Sequence, residues 1–368
     1  MAVDTDEPGG WTAAESLEEL ADLASAAGSR VAGTLVQKLS VPNPQTYLGK
    51  GKLEELISRQ SASGYNLVIF DDELTPQQQQ NLEKALKVKV IDRVALILDI
   101  FARRAHTREG ILQVELAQHQ YLLPRLAGQW GHLERLGGGI GTRGPGESQL
   151  ETDRRLIRRK ITKLEEQLEE VRRHRELYRE RRRRAAIPVV ALVGYTNSGK
   201  STLLNALSRA EVLVENKLFA TLDPTTRRLR LPDGTMLLLT DTVGFIRKLP
   251  PTIVEAFRAT LEELQEATVL IHVVDMTSHN AAEQSAVVEG ILHDLGLESK
   301  PRITALNKID LLLDKNDGWD EAKAAEFIAG AAECVANSAP NTVLISAAKK
   351  WGLIKLSQML SGILPVKL

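Results

Sequence analysis

The sequence predicts an α/β protein in three parts: a small parallel α/β domain, a long antiparallel helical hairpin, and a second α/β domain built around a phosphate-binding loop. Three observations predict it. Short apolar runs alternate with helical stretches over residues 30–106 and again after residue 187. Between them, apolar residues recur at three- and four-residue steps through a strongly charged segment. A glycine-containing string with a lysine and a hydroxyl then follows directly on the apolar run 188–193. The boundaries read as a tail over 1–29, an α/β subdomain over 30–106, a helical hairpin over 107–186 and the phosphate-loop domain over 187–368.

Residues 1–28 are rich in Ala and Glu and are expected to form a partly disordered tail or a marginal helix. From residue 31 the pattern changes. Strands are expected over 31–39, 66–70 and 88–92, and helices over 52–59, 75–86 and from about Val94. Thr75 followed by Pro76 fits a helix start, because the proline ring presets φ and its missing N–H would have had no helical partner there. Apolar strands alternating with helices imply parallel pairing.

Helices are expected next over 111–123 and 150–184. In the second, Leu150, Ile157, Ile161, Leu164, Leu168, Val171 and Tyr178 form a narrow apolar seam interrupted by Arg154 and Arg175, as packing against a neighbouring helix requires. Residues 150–186 hold 14 basic against 8 acidic residues, about +6 in a chain whose formal net charge is −1. The loop between the two helices carries six glycines over 136–148. Glycine lets backbone amides approach a partner closely, and Arg143 adds a guanidinium suited to phosphate or base stacking. Gly139, Gly141, Arg143 and Gly144 are therefore candidate RNA contacts, although the same composition would also make a plain hairpin tip.

The chain has 368 residues, 43% of them hydrophobic, enough to bury a full core. Aromatics at 4% and charged residues at 26% favour helix-rich α/β over an all-β sandwich. Cys334 is the only cysteine, so no intramolecular disulfide forms. No apolar run approaches the roughly 20 residues that span a bilayer, and the opening lacks the features of a secretory signal. A cytoplasmic monomer is expected.

The chemistry concentrates after residue 187. Gly194, Tyr195, Thr196, Asn197, Ser198, Gly199, Lys200 and Ser201 match G-x-x-x-x-G-K-[ST], and Thr202 follows. Such a loop presents successive backbone N–H groups to phosphates at a helix N-terminus, where the dipole also favours negative charge. Lys200 neutralises β- and γ-phosphate oxygens, and the Ser201 hydroxyl ligates Mg²⁺. Asp241, Thr242, Val243 and Gly244 follow the apolar run 236–239. Asp241 then stands near the metal, and the Gly244 N–H faces the γ-phosphate. Asn307, Lys308, Ile309 and Asp310 follow the run 303–306. The Asp310 carboxylate can accept hydrogen bonds from guanine N1–H and its 2-amino group, donors that adenine lacks in those places. Together these segments predict a Ras-like P-loop fold that takes GTP. Lys200 and Gly244 are the candidate catalytic groups.

Phosphoryl transfer to water needs a positioned nucleophile. Many relatives of this nucleotide fold place Gln directly after Asp-x-x-Gly, whereas this chain has Phe245, which cannot orient water. Slow intrinsic turnover completed by a partner is expected, with Phe245 as a packed anchor.

The chain resembles the HflX family of translation-related GTPases. The similarity rests on segments spread along the chain: 47–56 (YLGKGKLEEL), 72–75 (DELT), 91–93 (IDR), 98–101 (LDIF), 108–110 (REG), the glycine run 137–146, 149–156 (QLETDRRL) and 219–227 (FATLDPTTR). The resemblance implies that Phe219, Ala220, Thr221, Leu222 and Asp223 belong to switch I, with Thr221 the second Mg²⁺ ligand beside Ser201. Thr225 and Thr226 are weaker candidates. It implies that Ser346, Ala347 and Ala348 meet the guanine base; Ala348 departs from the usual lysine of that segment, whose stem covers the base. It also implies the large ribosomal subunit and its rRNA as partner, with splitting or rescue of stalled ribosomes as the activity. Two other readings remain: an RNA-remodelling NTPase, and a non-catalytic scaffold whose nucleotide is structural. Many members continue past the helix expected over 353–363 into another domain, and this sequence ends at Leu368.

Overall fold

Val189–Val193, the apolar run before the phosphate loop, is buried along its whole length between parallel neighbours. This is the setting that a continuous run of Val, Ala and Leu dictates. The structure is a computed structural model. It describes residues 1–4, 11–126, 145–184, 187–208, 218–219, 221–248, 253, 263–313, 319–324, 326 and 341–364. The chain divides into two units, Met1–Arg173 with Lys248–Ala256, and His174–Arg247 with Phe257–Leu368.

In the first unit, β1 (Ala2–Asp4) pairs in parallel with β2 (Val36–Lys38), and β3 (Leu67–Phe70) with β4 (Lys89–Asp92). The helices are α1 (Ala13–Ala26), α2 (Lys50–Ser63), α3 (Pro76–Leu86), α4 (Arg93–Arg104), α5 (Arg108–Leu122) and α6 (Pro145–Arg184), the last of which continues into the second unit. The strand expected over 31–39 is confined to three residues. The opening segment, expected as a tail or marginal helix, instead carries β1 and the amphipathic α1. Leu17, Leu20 and Leu23 of α1 are buried, and Thr12 and Glu15 form a reciprocal cap at its start. Ala24 is buried with these leucines, Glu18 is exposed, and Glu19 turns inward to Arg93. Thr75 and Gln78 make the same reciprocal cap at α3, with Pro76 in its first turn.

The core of this unit joins Val3, Leu48, Phe70, Leu74, Leu82, Leu86 and Val90. Arg93, 2% exposed, is neutralised by Asp71 at 2.7 Å and by Glu19. Asp71 also accepts from the Ser16 hydroxyl at 2.7 Å and from Lys248 Nζ at 2.6 Å. Asp92 caps α4 through the Ala95 N–H and accepts from Tyr121 Oη at 2.9 Å. The Arg125 guanidinium stacks 3.6 Å over the Tyr121 ring and donates to the Leu74 carbonyl at 2.8 Å. Leu112 and Leu116 of α5 form one apolar cluster with Leu164 and Leu168 of α6, flanked by Ile161 and Val171, and Glu115 pairs with Lys160 at 2.7 Å. The centre of the predicted seam thus packs as its spacing requires. Gly139, Gly141, Arg143 and Gly144 lie outside the described residues.

The second unit is a six-stranded sheet ordered β10–β9–β8–β5–β7–β6, with α7 (Lys200–Ser208), α8 (Ala281–Asp294) and α9 (Leu353–Ile363). The strands are β5 (Val189–Val193), β6 (Thr225–Arg230), β7 (Met236–Asp241), β8 (Val269–Asp275), β9 (Arg302–Asn307) and β10 (Thr342–Leu344). Only the edge strand β6 runs antiparallel within this sheet, against β7. Val190, Leu192, Leu237, Leu239, Ile271, Val273, Ile303 and Ala305 fill its core with Leu356 and Leu360 of α9. Parallel strands bring their C-terminal ends to one edge, so the segments after Val193, Asp241, Asp275, Asn307 and Leu344 converge there.

Candidate nucleotide site

Residues 194–199 turn from β5 into α7 through backbone that few side chains tolerate. Gly194 has φ 152° and Gly199 has φ 95°, and Asn197 adopts the left-handed region at φ 60°. A Cβ on Gly194 would stand 2.3 Å from the Val273 carbonyl oxygen, and one on Gly199 2.3 Å from Asn307 Nδ2. Glycine at both positions is therefore a steric requirement of the loop. Lys200 is 5% exposed, and its Nζ donates to the carbonyls of Gly194 at 3.1 Å and Tyr195 at 2.7 Å. Burial lowers its pKa from 10.5 to about 8, against the opposing pull of Asp241.

Beside the lysine, three oxygens meet. Ser201 Oγ donates to Asp241 Oδ2 at 2.6 Å, Thr221 Oγ1 donates to the same oxygen at 2.9 Å, and the two hydroxyls are 2.7 Å apart. Burial raises the Asp241 pKa, against the pull of Lys200 and the two hydroxyls. Asp241 Oδ1 is buried without a hydrogen-bond partner among the described residues. Two hydroxyls with a carboxylate behind them form a hard oxygen set of the kind Mg²⁺ takes. Among the described residues no group of three or more His, Cys, Asp or Glu could hold a metal ion. Thr226, a weaker candidate, lies in β6, where its hydroxyl pairs with Thr240 at 2.9 Å.

Val243 and Gly244 bring the chain back against the phosphate loop after Thr242, whose hydroxyl donates to the Leu192 carbonyl at 2.5 Å. The Thr196 N–H donates to the Phe245 carbonyl at 2.7 Å and the Phe245 N–H to the Gly194 carbonyl at 3.0 Å. Tyr195 Oη accepts from the Arg247 N–H at 3.0 Å. Phe245 is buried at 5% exposed.

At the other end, Asn307 is buried and joins two segments. Its Nδ2 donates to the Ser198 carbonyl at 2.9 Å, and its Oδ1 accepts from the Ala347 N–H at 3.0 Å. Lys308 takes φ 66°, and Ile309 and Asp310 follow in a short 3₁₀ turn. Asp310 stays partly exposed. Ser346 Oγ accepts from the Lys349 N–H at 3.0 Å, Ala347 is buried, and Ala348 is exposed. Of the predicted phosphate, metal and base residues, Ala220 alone lies outside the described residues; Phe219, Leu222 and Asp223 are near Thr221 in sequence, with Phe219 and Leu222 buried. One partner escapes the sequence reading. Lys308 Nζ donates to Asp275 Oδ2 at 2.6 Å, and Asp275 Oδ1 accepts from the Thr277 N–H and hydroxyl. Asp-x-Thr after an apolar strand is the available signal, and it denotes only a turn.

Residues 189–308 match the family model described as a 50S ribosome-binding GTPase, 14–102 that of the GTP-binding GTPase N-terminal region, and 104–182 that of the GTP-binding GTPase middle region. GTPase HflX of Caldanaerobacter subterraneus subsp. tengcongensis is 60% identical over 298 residues, 81% of this chain and 70% of that protein. GTPase HflX of Escherichia coli is 44% identical over 347 residues, 94% of this chain and 78% of that protein. A crystal structure of SsGBP in complex with GDP superposes with a TM-score of 0.51 at 29% identity, covering 98% of this chain and 96% of that one. With relatives this similar over most of their length and three family models that together span most of the chain, the chain belongs to the HflX family of GTPases.

Proposed function

We propose that this GTPase binds the large ribosomal subunit and uses GTP to split or rescue stalled ribosomes. The observation that carries the partner is the match of residues 189–308 to a family described as 50S ribosome-binding GTPases. The excess of arginine along α6 supports it, because such a surface meets rRNA phosphates.

In this reading residues 194–201 hold the phosphates through their amides and Lys200, Asp310 and the 346–348 segment select guanine, and Ser201 and Thr221 ligate Mg²⁺ with Asp241 behind them. Mg²⁺, when bound, neutralises charge on the β- and γ-phosphate oxygens. Gly244 turns its N–H towards the γ-phosphate, and Phe245 leaves the attacking water to a group supplied by the ribosome. Lys248, four residues beyond Gly244, is ion-paired with Asp71 and Asp72 within the first unit. The segment that senses the γ-phosphate therefore runs straight into the unit that carries α5 and most of α6, which supports gating of ribosome binding by nucleotide.

Sucrose-gradient sedimentation of 70S ribosomes with the protein and GTP, GDP or a non-hydrolysable analogue tests this. Subunit separation with the triphosphate forms, and several-fold faster hydrolysis with large subunits, are expected. Equal binding of the GTP and GDP forms, or no acceleration, refutes it.

A further inference from the structure

Thr196 holds two segments at once. Its N–H donates to the Phe245 carbonyl at 2.7 Å, and its hydroxyl accepts from the Phe219 N–H at 3.1 Å. Gly244 lies directly against it: a Cβ on Gly244 would stand 2.5 Å from Thr196 Cα. Thr196 is 7% exposed, so these bonds form where a lost partner is poorly replaced by water.

The hydroxyl bond bears on the metal ligand. Phe219 is buried and adopts the left-handed region at φ 55°, a conformation that a bulky side chain keeps only when its surroundings impose it. Thr196 Oγ1 is the acceptor for its amide. Two residues further on, Thr221 Oγ1 stands 2.7 Å from Ser201 Oγ and 2.9 Å from Asp241 Oδ2. Glycine at position 196 would keep the N–H bond and lose the hydroxyl; valine would keep the side-chain shape and lose the acceptor.

We propose that Thr196 is a positioning residue for GTP hydrolysis, its hydroxyl registering Phe219 to the phosphate loop so that Thr221 arrives beside Ser201 and Asp241. The inference rests on the GTPase activity and adds to it a role for a side chain outside the reacting atoms. The N–H of the same residue holds the segment after Gly244, so one position orders the metal side and the γ-phosphate side together. Hydrolysis then depends on the hydroxyl more strongly than nucleotide binding does, because the loop amides and the base contacts stay in place without it.

The test compares Thr196→Val and Thr196→Ser in the full chain. Amide hydrogen exchange of the peptide carrying Phe219, in protein free of nucleotide and metal, reads the bond directly. Thr196→Val should exchange faster there and Thr196→Ser should match the parent. In steady-state hydrolysis Thr196→Val should lose about five- to ten-fold in kcat and need several-fold more Mg²⁺ for half-maximal rate, while KM for GTP and Kd for a fluorescent GDP stay within about two-fold. Thr196→Ser should restore both. Parental exchange and kcat in Thr196→Val, or equal damage in Thr196→Ser, overturn the proposal. Should Thr196→Val not fold, Thr196→Ala against Thr196→Ser decides on the same criteria. Absence of GTP turnover in the parent protein would sink the activity itself, and the exchange comparison would still decide the role of Thr196.

Discussion

Lys308 is tethered by Asp275: its Nζ donates to Asp275 Oδ2 at 2.6 Å across the C-terminal ends of neighbouring strands, where Asp275 and Asn307 are in register. Lys308 lies between Asn307 and Asp310, in the segment proposed to select the base. Asp275→Ala releases it. The pair is partly buried, so the loss is about 1 kcal/mol, a several-fold weaker Kd for GDP and GTP alike. Because both nucleotides lose equally, KM should rise with kcat unchanged. Calorimetric titration and steady-state kinetics check it, and an unaltered Kd would show that the tether does not act on the nucleotide.

Gly244 admits no side chain. A Cβ there would approach Thr196 Cα to 2.5 Å and Lys200 Nζ to 3.0 Å, and the first of these is backbone that cannot swing aside. Gly244→Ala must push residues 244–245 off the phosphate loop. Hydrolysis should fall by roughly ten-fold or more, while fluorescent GDP binds within about three-fold of the parent. Equal losses in both would mean that the substitution damages the phosphate loop as a whole.

Lys200 makes nucleotide uptake depend on pH. Its folded pKa is lowered from 10.5 to about 8, so above pH 8 the nucleotide-free protein holds it increasingly neutral. A triphosphate favours the charged form, and binding at pH 8.5 should therefore take up protons. Titration in buffers of different ionisation enthalpy reads that uptake directly. It should vanish near pH 6.5 and in Lys200→Met, whose affinity is low throughout.

The phosphate loop and the strands that feed it are legible in the sequence because each signal is local: an apolar run, a fixed string, a helix. The same holds for the Thr75 and Gln78 cap. Asp275 is not legible as the partner of Lys308, because 33 residues separate them and only the register of β8 with β9 joins them. Thr196 stands within the predicted string, yet its acceptor role depends on Phe219, 23 residues on. The burial of α1 is likewise invisible to composition, since alanine and leucine among glutamates read alike in a tail and in a packed helix until Leu17, Leu20 and Leu23 find a core.

His272 links the centre of the sheet to pH. It lies on β8, 2% exposed, with Glu289 of α8 3.6 Å from its Nδ1. Burial, then the nearby charges of Arg302 and Lys200, lower its pKa from 6.5 to about 4. Above pH 6.5 neither the folded nor the unfolded chain is protonated here, and the residue contributes no pH dependence. As pH falls below 6.5 the unfolded chain takes the proton while the folded chain refuses it until about pH 4. Stability is therefore lost progressively across that window, and the loss levels off below it at about 3 kcal/mol. Replacing the imidazole by an amide in His272→Gln removes the titration, although the altered packing has its own constant cost. Urea unfolding of the nucleotide-free protein at pH 7.5, 6, 5 and 4.5 should show the parent losing its advantage over the variant as the solution is acidified. Parallel curves for the two proteins would mean that the buried ring is protonated in the folded state or solvated well enough to titrate normally.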